Sequence, residues 1–321
     1  MNLFRDAFSL ASPAGKNGRL SVFIFHRVLP TPDSLFPDEP DARRFNELMT
    51  WIGSWFNVLP LDQAIDKLAQ QSLPERAASI TFDDGYADNH AIALPILKKY
   101  GLPATFFIAT GFLNGGRMWN DTIIESIRSS PLSTLDLSPM QLGIHPISSL
   151  PEKQEAIHSL IQQIKYQSIQ KRLALTSEIA NLAQATPPTD LMMTTEEVVQ
   201  LRQAGMQIGA HTVSHPILAK TDLAEARHEI HGSKRFLEET LGEPVRLFAY
   251  PNGKPDVDYL TEHVALVRDL GFDAAVSTAS GSASVKNADF HQLPRFTPWD
   301  KTKSRFALRL LQNLLRSPVR E

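Results

Sequence analysis

The chain has 321 residues, enough for one large domain or two small ones, and its 42% hydrophobic and 21% charged residues are typical of a globular protein. A net charge of −3 provides no overall positive field, which argues against a nucleic-acid partner. Because the sequence contains no cysteine, disulfides and thiolate metal sites are excluded, and any metal must be bound by His, Asp or Glu.

No segment has the pattern of a signal peptide or a transmembrane helix. Residues 1–20 lack a positively charged start followed by an apolar core. No apolar run approaches the ~18 residues that are needed to span a bilayer. We therefore expect a cytoplasmic protein without a membrane span.

Strands and helices alternate over the first hundred residues. Runs of apolar residues predict strands, and apolar residues at helical spacing predict helices. The predicted strands are 20–25, 78–82 and 104–108, and the predicted helices are 41–55, a short helix capped by Asp62, and 91–100. This alternation is typical of parallel strands joined by helical crossovers, so we predict the α/β class.

The alternation stops at about residues 111–191, which we interpret as a helical insertion. One helix is predicted at 122–128 and two more between 151 and 185, before a proline-containing linker. Long excursions of this kind often form lids or substrate walls, so the insertion is expected to cover the ends of the strands.

The alternation resumes after the insertion. The predicted helices are 195–204, 222–240 and 258–270, and the predicted strands are 206–210, 245–248 and 274–276. Because no internal repeat is visible, residues 20–300 are expected to form a single domain.

The tail, residues 301–321, is predicted to contain an amphipathic helix. Apolar residues recur on one face between Lys303 and Leu315, and several basic residues lie elsewhere. Such a helix could make a peripheral contact with a membrane surface. Packing against its own domain is the more common use of an amphipathic helix, and we favour it here.

Two adjacent carboxylates, Asp83 and Asp84, follow the predicted strand 78–82 directly and precede Gly85. The C-terminal ends of strands are where α/β sheets and β/α barrels carry their functional residues. Neighbouring carboxylates repel each other unless a cation lies between them or one stays protonated. The alternative is an ordinary polar turn, because Asp-Gly is a common turn dipeptide.

Two histidines, His211 and His215, follow the predicted strand 206–210 in the same way. Histidines four residues apart lie on one face of a helical turn, so their imidazoles can converge on one ion. The alternative is two unrelated surface histidines among the ten in the chain. Because both pairs follow strands, they should lie at the same end of the sheet. One carboxylate with two imidazoles is a common ligand set of catalytic zinc, with a fourth position left for water.

Together the two motifs resemble those of the polysaccharide deacetylase family, also known as the NodB-homology domain or carbohydrate esterase family four. The family's Thr-Phe-Asp-Asp-Gly motif corresponds to residues 81–85, and its His-(Ser/Thr)-x-x-His motif corresponds to residues 211–215. Its third motif, of the Arg-x-Pro-Tyr-Gly type, corresponds to residues 248–253. The resemblance covers about residues 20–296 and implies a distorted, incomplete (β/α) barrel.

The resemblance also implies roles for individual residues. Asp84, His211 and His215 would bind a divalent metal, with Zn²⁺ expected, and Asp83 would be the general base. The backbone N–H of Tyr250 would help to hold the tetrahedral oxyanion. The implied activity is hydrolytic removal of N-acetyl groups from an amino-sugar polysaccharide or its precursor, in exopolysaccharide or cell-wall metabolism. The expected partner is therefore an acetylated amino-sugar glycan.

The sequence departs from the family pattern at two points. Ala249 replaces the arginine that normally orients the base, and the later Leu-x-His-Asp motif, whose histidine normally protonates the leaving amine, is absent. We hypothesise that Arg295 replaces the missing arginine and pairs with Asp83. The candidates for the acid are His291, with a surface histidine as the alternative, and His26, with a site-lining or metal-supporting role as the alternative.

Four residues are predicted to contact the substrate, namely His26, Tyr86, Trp119 and Pro251. An aromatic side chain in a lid can stack on a pyranose ring, which is the argument for Trp119 and, with it, for a sugar-facing Asp121. Ordinary packing is the alternative for the two aromatic residues. For the protein as a whole, the alternatives are an O-acetyl esterase, a hydrolase of small amides, or a glycan-binding relative that has lost its chemistry.

Overall fold

The structure of the protein is a computed structural model, which describes residues 3–316. Ten strands lie within these residues. They are β1 (Arg19–Phe25), β2 (Asn57–Val58), β3 (Ala77–Phe82), β4 (Thr105–Ile108), β5 (Thr134–Asp136), β6 (Ile144–Pro146), β7 (Gln207–Ala210), β8 (Leu247–Ala249), β9 (Ala274–Val276) and β10 (Ala283–Ser284). Within the described residues, eight of them form one sheet in the order β10-β1-β3-β4-β7-β8-β9, with β2 beside β3. All its pairs are parallel except β1 with β10. Parallel strands are covered on both faces, which explains why they appear as continuous apolar runs in the sequence.

The irregular segment 293–296 lies between the two ends of this sheet. Single parallel bridges join Leu293 to Val276 of β9 and Phe296 to Phe23 of β1. The Phe296 N–H donates to the carbonyl of Val22 at 2.8 Å. A short irregular segment therefore takes the place of a further strand, and the predicted distorted, incomplete (β/α) barrel is confirmed.

The helices surround the sheet and agree with most of the predicted positions. They are α1 (Leu3–Ala11), α2 (Ala42–Trp55), α3 (Leu61–Ala69), α4 (Leu94–Tyr100), α5 (Trp119–Ser129), α6 (Leu150–Ile164), α7 (Ile169–Leu182), α8 (Thr195–Gln203), α9 (Leu223–Leu241), α10 (Thr261–Asp269) and α11 (Lys303–Leu315). Two details differ from the prediction: Asp62 lies in the first turn of α3, one position beyond its first residue, and a π-helical turn precedes α4. Helix α1 and the β5–β6 hairpin were not predicted.

The ends of α9 show how the sequence determines an element locally. The Asp222 side chain accepts a hydrogen bond from the N–H of Glu225 at 2.8 Å, which satisfies one of the free donors of the first turn. Gly242 ends the helix with φ +68°, a conformation that glycine adopts without a steric penalty. These two residues set the ends of α9, which packs against β7.

Residues 111–191 form the predicted insertion, with a small apolar core of its own. Helices α5, α6 and α7 and the β5–β6 hairpin bury Ile123, Leu160 and Ile179 among other apolar side chains. An ion pair of 2.6 Å between Arg128 Nη2 and Asp33 Oδ2 connects the insertion to the loop that follows β1. The insertion is thus a compact unit beside the C-terminal ends of the strands.

The first and last described helices belong to the same core as the barrel. Phe8 of α1 and Phe306, Leu310 and Leu314 of α11 are buried in the main apolar cluster. The favoured interpretation of the tail, packing against its own domain, is confirmed for these side chains, whereas Leu315 at the end of α11 is 60% exposed. Residues 317–321 of the predicted tail lie outside the described residues. Within 3–316, no helix has both the length and the apolar character required to cross a membrane.

Candidate active site

The predicted site residues follow the C-terminal ends of neighbouring parallel strands. Asp83 and Asp84 come directly after β3, and His211 comes directly after β7. Asp84 has φ +78° and Gly85 has φ +91°, so the chain turns sharply as soon as the strand ends. Because the strands are parallel, these side chains meet at one edge of the sheet.

Asp84, His211 and His215 converge as a metal-binding cluster. One potential ligand atom of each lies within 4.8 Å of the others, and Asp84 Oδ1 is 3.4 Å from the Nε2 atoms of both histidines. Among the described residues this buried oxygen has no hydrogen-bond partner. A buried carboxylate oxygen without a donor is unfavourable unless a cation occupies the space beside it. The donor set and this orphaned oxygen both fit a divalent metal ion.

The two histidines are brought together by a loop, which corrects the predicted helical turn. Thr212 and His215 have φ +65° and +52°, which is incompatible with a regular helix. The ring Nδ1 of His211 donates to the carbonyl of Ala249 at 2.7 Å. In the neutral imidazole this hydrogen bond leaves the lone pair on Nε2, which is the ring nitrogen that faces Asp84.

Glu229 of α9 holds this loop, and sequence reasoning did not identify it. Its buried carboxylate accepts hydrogen bonds from the backbone N–H groups of Val213 and Ser214, at 2.9 and 2.8 Å, and from the Ser214 hydroxyl at 2.6 Å. A glutamate in the middle of an amphipathic helix gives no sequence signal for such a role. The three hydrogen bonds stabilise the strained loop conformation that presents both imidazoles.

Asp83 and Arg295 form a buried ion pair, the contact hypothesised from the sequence. The two guanidinium Nη atoms donate to the two carboxylate oxygens at 2.7 Å each, and Arg295 Nε donates to the carbonyl of Ser277 at 2.8 Å. Burial alone would raise the pKa of Asp83, but the Arg295 guanidinium outweighs it and keeps that pKa below its usual value. Asp83 is therefore an ionised carboxylate in a fixed orientation.

The electrostatic environment of the histidines differs between them. Burial lowers the pKa of His215 to about 3, which keeps its imidazole neutral and able to bind a metal. Burial would also lower the pKa of His211, but the Asp83 and Asp84 carboxylates outweigh it and raise that pKa above the usual value. A raised pKa means that His211 binds a proton more readily, and a metal cation beside Asp84 would supply the compensating positive charge in place of that proton.

A cavity of about 300 Å³ contains the four motif residues Asp83, Asp84, His211 and His215, and we call it the metal-site cavity. The barrel contributes further wall residues, which are His26, Asn252 and Thr278. The insertion contributes the others, which are Met118, Trp119, Asn120, Ile161, Gln162 and Lys165. The insertion thus forms one wall of the site, as expected from its position in the chain.

Two of the four predicted substrate contacts lie in this cavity. His26 and Trp119 are among its wall residues, whereas Tyr86 and Pro251 are not among the described residues that line it. Tyr86 is buried beneath the site, where the guanidinium carbon of Arg27 lies 4.7 Å from its ring centre. Tyr86 packs in a buried apolar cluster and Pro251 is buried, so the structure does not bring either side chain into the wall of the cavity.

His291 is also placed away from the cavity, so its prediction as the acid is wrong. Its Nε2 lies 3.0 Å from the carbonyl oxygen of Phe272, which precedes β9. The cavity lies at the opposite, C-terminal ends of the strands. Sequence order suggested His291 because this residue precedes the last strand-like segment, residues 293–296. That segment first pairs with β9 at Leu293, and it reaches the site only at Arg295.

Tyr250 does not offer its backbone N–H to the site, and Asn252 takes its place. The Tyr250 N–H donates to the carbonyl of Val276 at 3.2 Å, which extends the pairing of β8 with β9. Asn252 lines the cavity with φ +58°, and its N–H has no hydrogen-bond acceptor within residues 3–316. Matching Pro251 to the proline of the family's third motif would have identified Asn252, since it then occupies the tyrosine position.

Asp121 is not among the described residues that line the cavity, which corrects its expected contact with a sugar. Its side chain is buried, and Oδ2 has no hydrogen-bond partner in the described part of the chain. Burial raises the pKa of this carboxyl to about 7. Burial therefore favours the protonated, neutral form of Asp121 up to about neutral pH. Asp83, and not Asp121, is the ionised carboxylate in the metal-site cavity, and a fixed carboxylate beside metal ligands is typical of metal-assisted hydrolases.

Comparison with known proteins agrees with this class. The model of the polysaccharide deacetylase family matches residues 70–275, which is more than half of the chain. The protein therefore belongs to the polysaccharide deacetylase family. One curated relative is YxkH of Bacillus subtilis (strain 168), whose name refers to polysaccharide deacetylation. It is 21% identical over 271 residues, which are 84% of this chain and 68% of YxkH.

Solved structures of deacetylases share the fold. The Streptococcus pyogenes deacetylase PplD, in complex with acetate, superimposes with a TM-score of 0.61 at 18% identity, over 92% of this chain and 98% of PplD. IcaB from Ammonifex degensii gives a TM-score of 0.58 at 18% identity, over 95% and 99% of the two chains. A de-N-acetylase from Aggregatibacter actinomycetemcomitans gives 0.58 at 16% identity, over 91% and 99%.

Proposed function

We propose that this protein is a metal-dependent hydrolase that removes N-acetyl groups from an amino-sugar polysaccharide or its precursor. The observation that carries the proposal is the convergence of Asp84, His211 and His215 beside Asp83, which is held ionised by Arg295. Ligands for a metal and a fixed base are the two components that amide hydrolysis requires. Membership of the polysaccharide deacetylase family supports the same reaction.

We propose Zn²⁺ as the metal held by Asp84, His211 and His215, because one carboxylate and two imidazoles are typical of catalytic zinc sites. When bound, the metal supplies Lewis-acid polarisation of the acetyl carbonyl group. The remaining steps fall to side chains and backbone of this chain.

Asp83 is the proposed general base. Its carboxylate accepts a proton from the attacking water, whose oxygen forms the new bond to the carbonyl carbon. Arg295 positions that carboxylate through two hydrogen bonds. The backbone N–H of Asn252, which has no acceptor in the described chain, would donate to the oxyanion as the carbonyl becomes tetrahedral.

His26 is the proposed general acid. The carbon–nitrogen bond breaks only when the leaving amine receives a proton, and His26 is an exposed imidazole in the wall of the metal-site cavity. The products are acetate and the free amino sugar. Acetate is the molecule named in the PplD complex, which supports an acetyl-bearing substrate.

The biological setting forms part of the proposal. The family description names a polysaccharide and one solved relative is named a de-N-acetylase, which favours an N-acetylated glycan as the substrate, and we propose exopolysaccharide or cell-wall metabolism as its setting. A cytoplasmic location would favour a precursor over the finished extracellular polymer. Separation of cytoplasmic, membrane and secreted fractions of cells that express the full chain would test the location.

The proposal is tested by measuring acetate and free amine released from N-acetyl and O-acetyl oligosaccharides. We expect hydrolysis of the N-acetyl substrate that is lost after treatment with a chelator and restored by Zn²⁺. Hydrolysis of the O-acetyl substrate alone would make the protein an esterase, and no hydrolysis of either by the zinc-loaded protein would contradict the proposal. The variant Asp66→Asn, which alters an exposed residue of α3, is the matched control for substitutions of site aspartates.

A further inference from the structure

A small pocket lies where the insertion meets the barrel, and the metal ligands are not among the described residues that line it. Its volume is about 40 Å³, and we call it the junction pocket. The start of α7 forms one side, and the segment 216–225, which follows His215 and enters α9, forms the other. A cavity needs about 10–15 Å³ to hold one water molecule, so this pocket has room for roughly three. Its size suits a single small ion.

Arg172 is the buried cation of the junction pocket. It is only 3% exposed, and its Nε is buried without a hydrogen-bond acceptor. The guanidinium group as a whole donates no hydrogen bond to residues 3–316, and its carbon lies 5.2 Å from the centre of the Trp119 ring. Burial lowers the pKa of Arg172, but a guanidinium group remains charged in proteins. A buried charge without an acceptor is unfavourable, which indicates a site for an anion.

Two carboxylates lie near Arg172 without pairing with it. Glu229 attracts the guanidinium group, but its oxygens already accept three hydrogen bonds from Val213 and Ser214. Glu225 lines the junction pocket, yet it forms no ion pair with Arg172 in the described part of the chain. Glu225 is only partly buried, so water can solvate it. The donors of Arg172 are therefore available to a ligand.

The N-terminal end of α7 adds backbone donors to the same pocket. The N–H groups of Ile169 and Gln170, which both line the pocket, have no acceptor within residues 3–316. The next N–H, that of Lys171, donates to the Ser168 hydroxyl at 3.3 Å. Free N–H groups at the start of a helix favour an anion, because the helix dipole is positive there. Such a helix end is common in proteins, and the buried guanidinium group is what distinguishes this one.

Two lysines make the junction pocket more positive. Lys165 from the insertion and Lys220 from the barrel line it, and neither pairs with a carboxylate of the described residues. With Arg172, the walls carry three cations against the single carboxylate of Glu225. Cations around a small volume repel each other unless an anion lies between them. The insertion and the barrel thus both direct positive charge at one pocket.

We infer that the junction pocket binds a small oxyanion of the phosphate class, held by the Arg172 guanidinium group and the free N–H groups of α7. A guanidinium group offers paired donors to such an anion, and the helix end adds two more. The anion would join the insertion to the segment that follows the metal ligand His215. The inference goes beyond the proposed deacetylase reaction and does not rest on it.

The test is a calorimetric titration with inorganic phosphate, in a buffer without other oxyanions, of zinc-loaded and metal-free protein. We expect the wild type to bind phosphate in both forms. Arg172→Gln should weaken the binding by roughly 10-fold or more, as is typical when hydrogen bonds to a charged group are lost. Arg172→Lys should retain part of the affinity, because the charge remains without the paired donors.

Lys171→Gln is the matched control, because Lys171 is an exposed cation of α7 that is not among the described residues lining the pocket. Equal affinity in the wild type and Arg172→Gln, or no binding by the wild type, would overturn the inference. Binding confined to the zinc-loaded form and unchanged by Arg172→Gln would place phosphate on the metal and overturn it as well.

A second variant tests the backbone donors independently of Arg172. Ile169→Pro removes one free N–H at the first position of α7, where proline is tolerated, and Ser168 has the extended ψ of 155° that a residue before proline prefers. It should weaken phosphate binding by roughly 10-fold, whereas Ile169→Ala, which keeps the N–H, should not. Equal affinity in these two variants would contradict the role of the helix end.

Glycerol 3-phosphate, titrated in the same way, distinguishes the sources of the oxyanion. Weaker binding than that of inorganic phosphate would indicate a site for the free ion. Equal or tighter binding would indicate a phosphate group carried by a larger molecule. Either result supports the inference if Arg172→Gln abolishes the difference from the control, and binding of both compounds that ignores Arg172 overturns it.

Discussion

The two halves of the site are held in different ways. The metal-binding half, formed by Asp84, His211 and His215, is held by several independent hydrogen bonds. Glu229 accepts three of them from the loop between the two histidines, and the carbonyl of Ala249 accepts one from the His211 ring. The base half rests on one side chain, because Arg295 makes both hydrogen bonds that orient Asp83.

This difference has a mechanical consequence. In the metal-binding half, losing one support leaves the others, so the geometry should loosen gradually. In the base half, losing Arg295 leaves a buried carboxylate without its counter-charge, which is among the larger penalties known in proteins. We therefore expect the base half to fail abruptly and without loss of the metal.

The largest expected effect is that of Arg295→Ala. Because the base loses its orientation and its counter-charge, kcat/KM should fall by roughly 10²- to 10⁴-fold, with the metal retained. Stability should fall by about 3–5 kcal/mol, as is typical when one member of a buried ion pair is removed. The pKa of Asp83 should rise towards and beyond its ordinary value, which moves the acid limb of the pH–rate profile to higher pH. Kinetics, metal analysis and denaturant unfolding measure these changes.

Full activity in Arg295→Ala would remove the ion pair from the mechanism. Arg295→Lys separates charge from geometry, since lysine supplies the positive charge without the two-pronged contact. It should restore stability more than activity.

The next effect is that of His26→Gln. If His26 protonates the leaving amine, kcat for an N-acetyl substrate should fall by roughly 10²-fold or more, and the alkaline limb of the pH–rate profile should disappear. An activated aryl acetate, whose leaving group needs no proton, should be hydrolysed nearly as fast as by the wild type. His291→Gln is the control, because His291 lies at the other end of the barrel; a loss of the alkaline limb there and not in His26→Gln would reverse the assignment.

Glu229→Gln should produce a moderate effect confined to the metal. The amide offers one acceptor in place of two carboxylate oxygens, so the loop should loosen and metal affinity should fall by roughly 10- to 100-fold. At saturating Zn²⁺, kcat should stay close to that of the wild type. Glu239→Gln, which alters an exposed residue of the same helix, is the control. Unchanged affinity in Glu229→Gln would show that the loop does not depend on this carboxylate.

The smallest effect concerns stability and Asp121. Because burial raises the pKa of this carboxyl from an ordinary value of 3.8 to about 7, the folded protein binds a proton that the unfolded chain releases between those values. The contribution of this bound proton to the free energy of unfolding is fully present below the unfolded pKa of 3.8 and is lost as the pH rises through the folded pKa of about 7. In metal-free protein, Asp121→Asn should therefore gain stability relative to the wild type between pH 5 and 8, on the order of 1 kcal/mol per pH unit. A constant difference across this range would mean that Asp121 does not titrate there.

The sequence predicts the metal-binding half well and the base half in part. Asp84 and His211 come at the ends of their strands and His215 lies in the short loop after β7, so correct strands were enough to bring them to one edge. Arg295 was found by asking what could replace a missing arginine, although its segment forms only single bridges. His291 and Tyr250 were misplaced because their positions depend on how β8, β9 and the segment 293–296 pair, which a local pattern does not contain.

Other features had no sequence signal at all. Glu229 is one glutamate among several on an amphipathic helix, and its role follows from the packing of α9 behind β7. The metal-site cavity likewise forms only where the helical insertion meets the barrel. Such features depend on tertiary contacts alone, whereas motif residues are carried to the site by the strand that precedes them.

The most direct test of the central claim is zinc content and deacetylase turnover measured on the same samples of wild type and Asp83→Asn. The account predicts about one tightly bound zinc in both proteins and turnover in the wild type alone, because Asp83 belongs to the base half and not to the ligand set. Loss of the metal in Asp83→Asn would contradict the separation of the two halves. Absence of zinc from the wild type, even after reconstitution, would contradict the metal site itself.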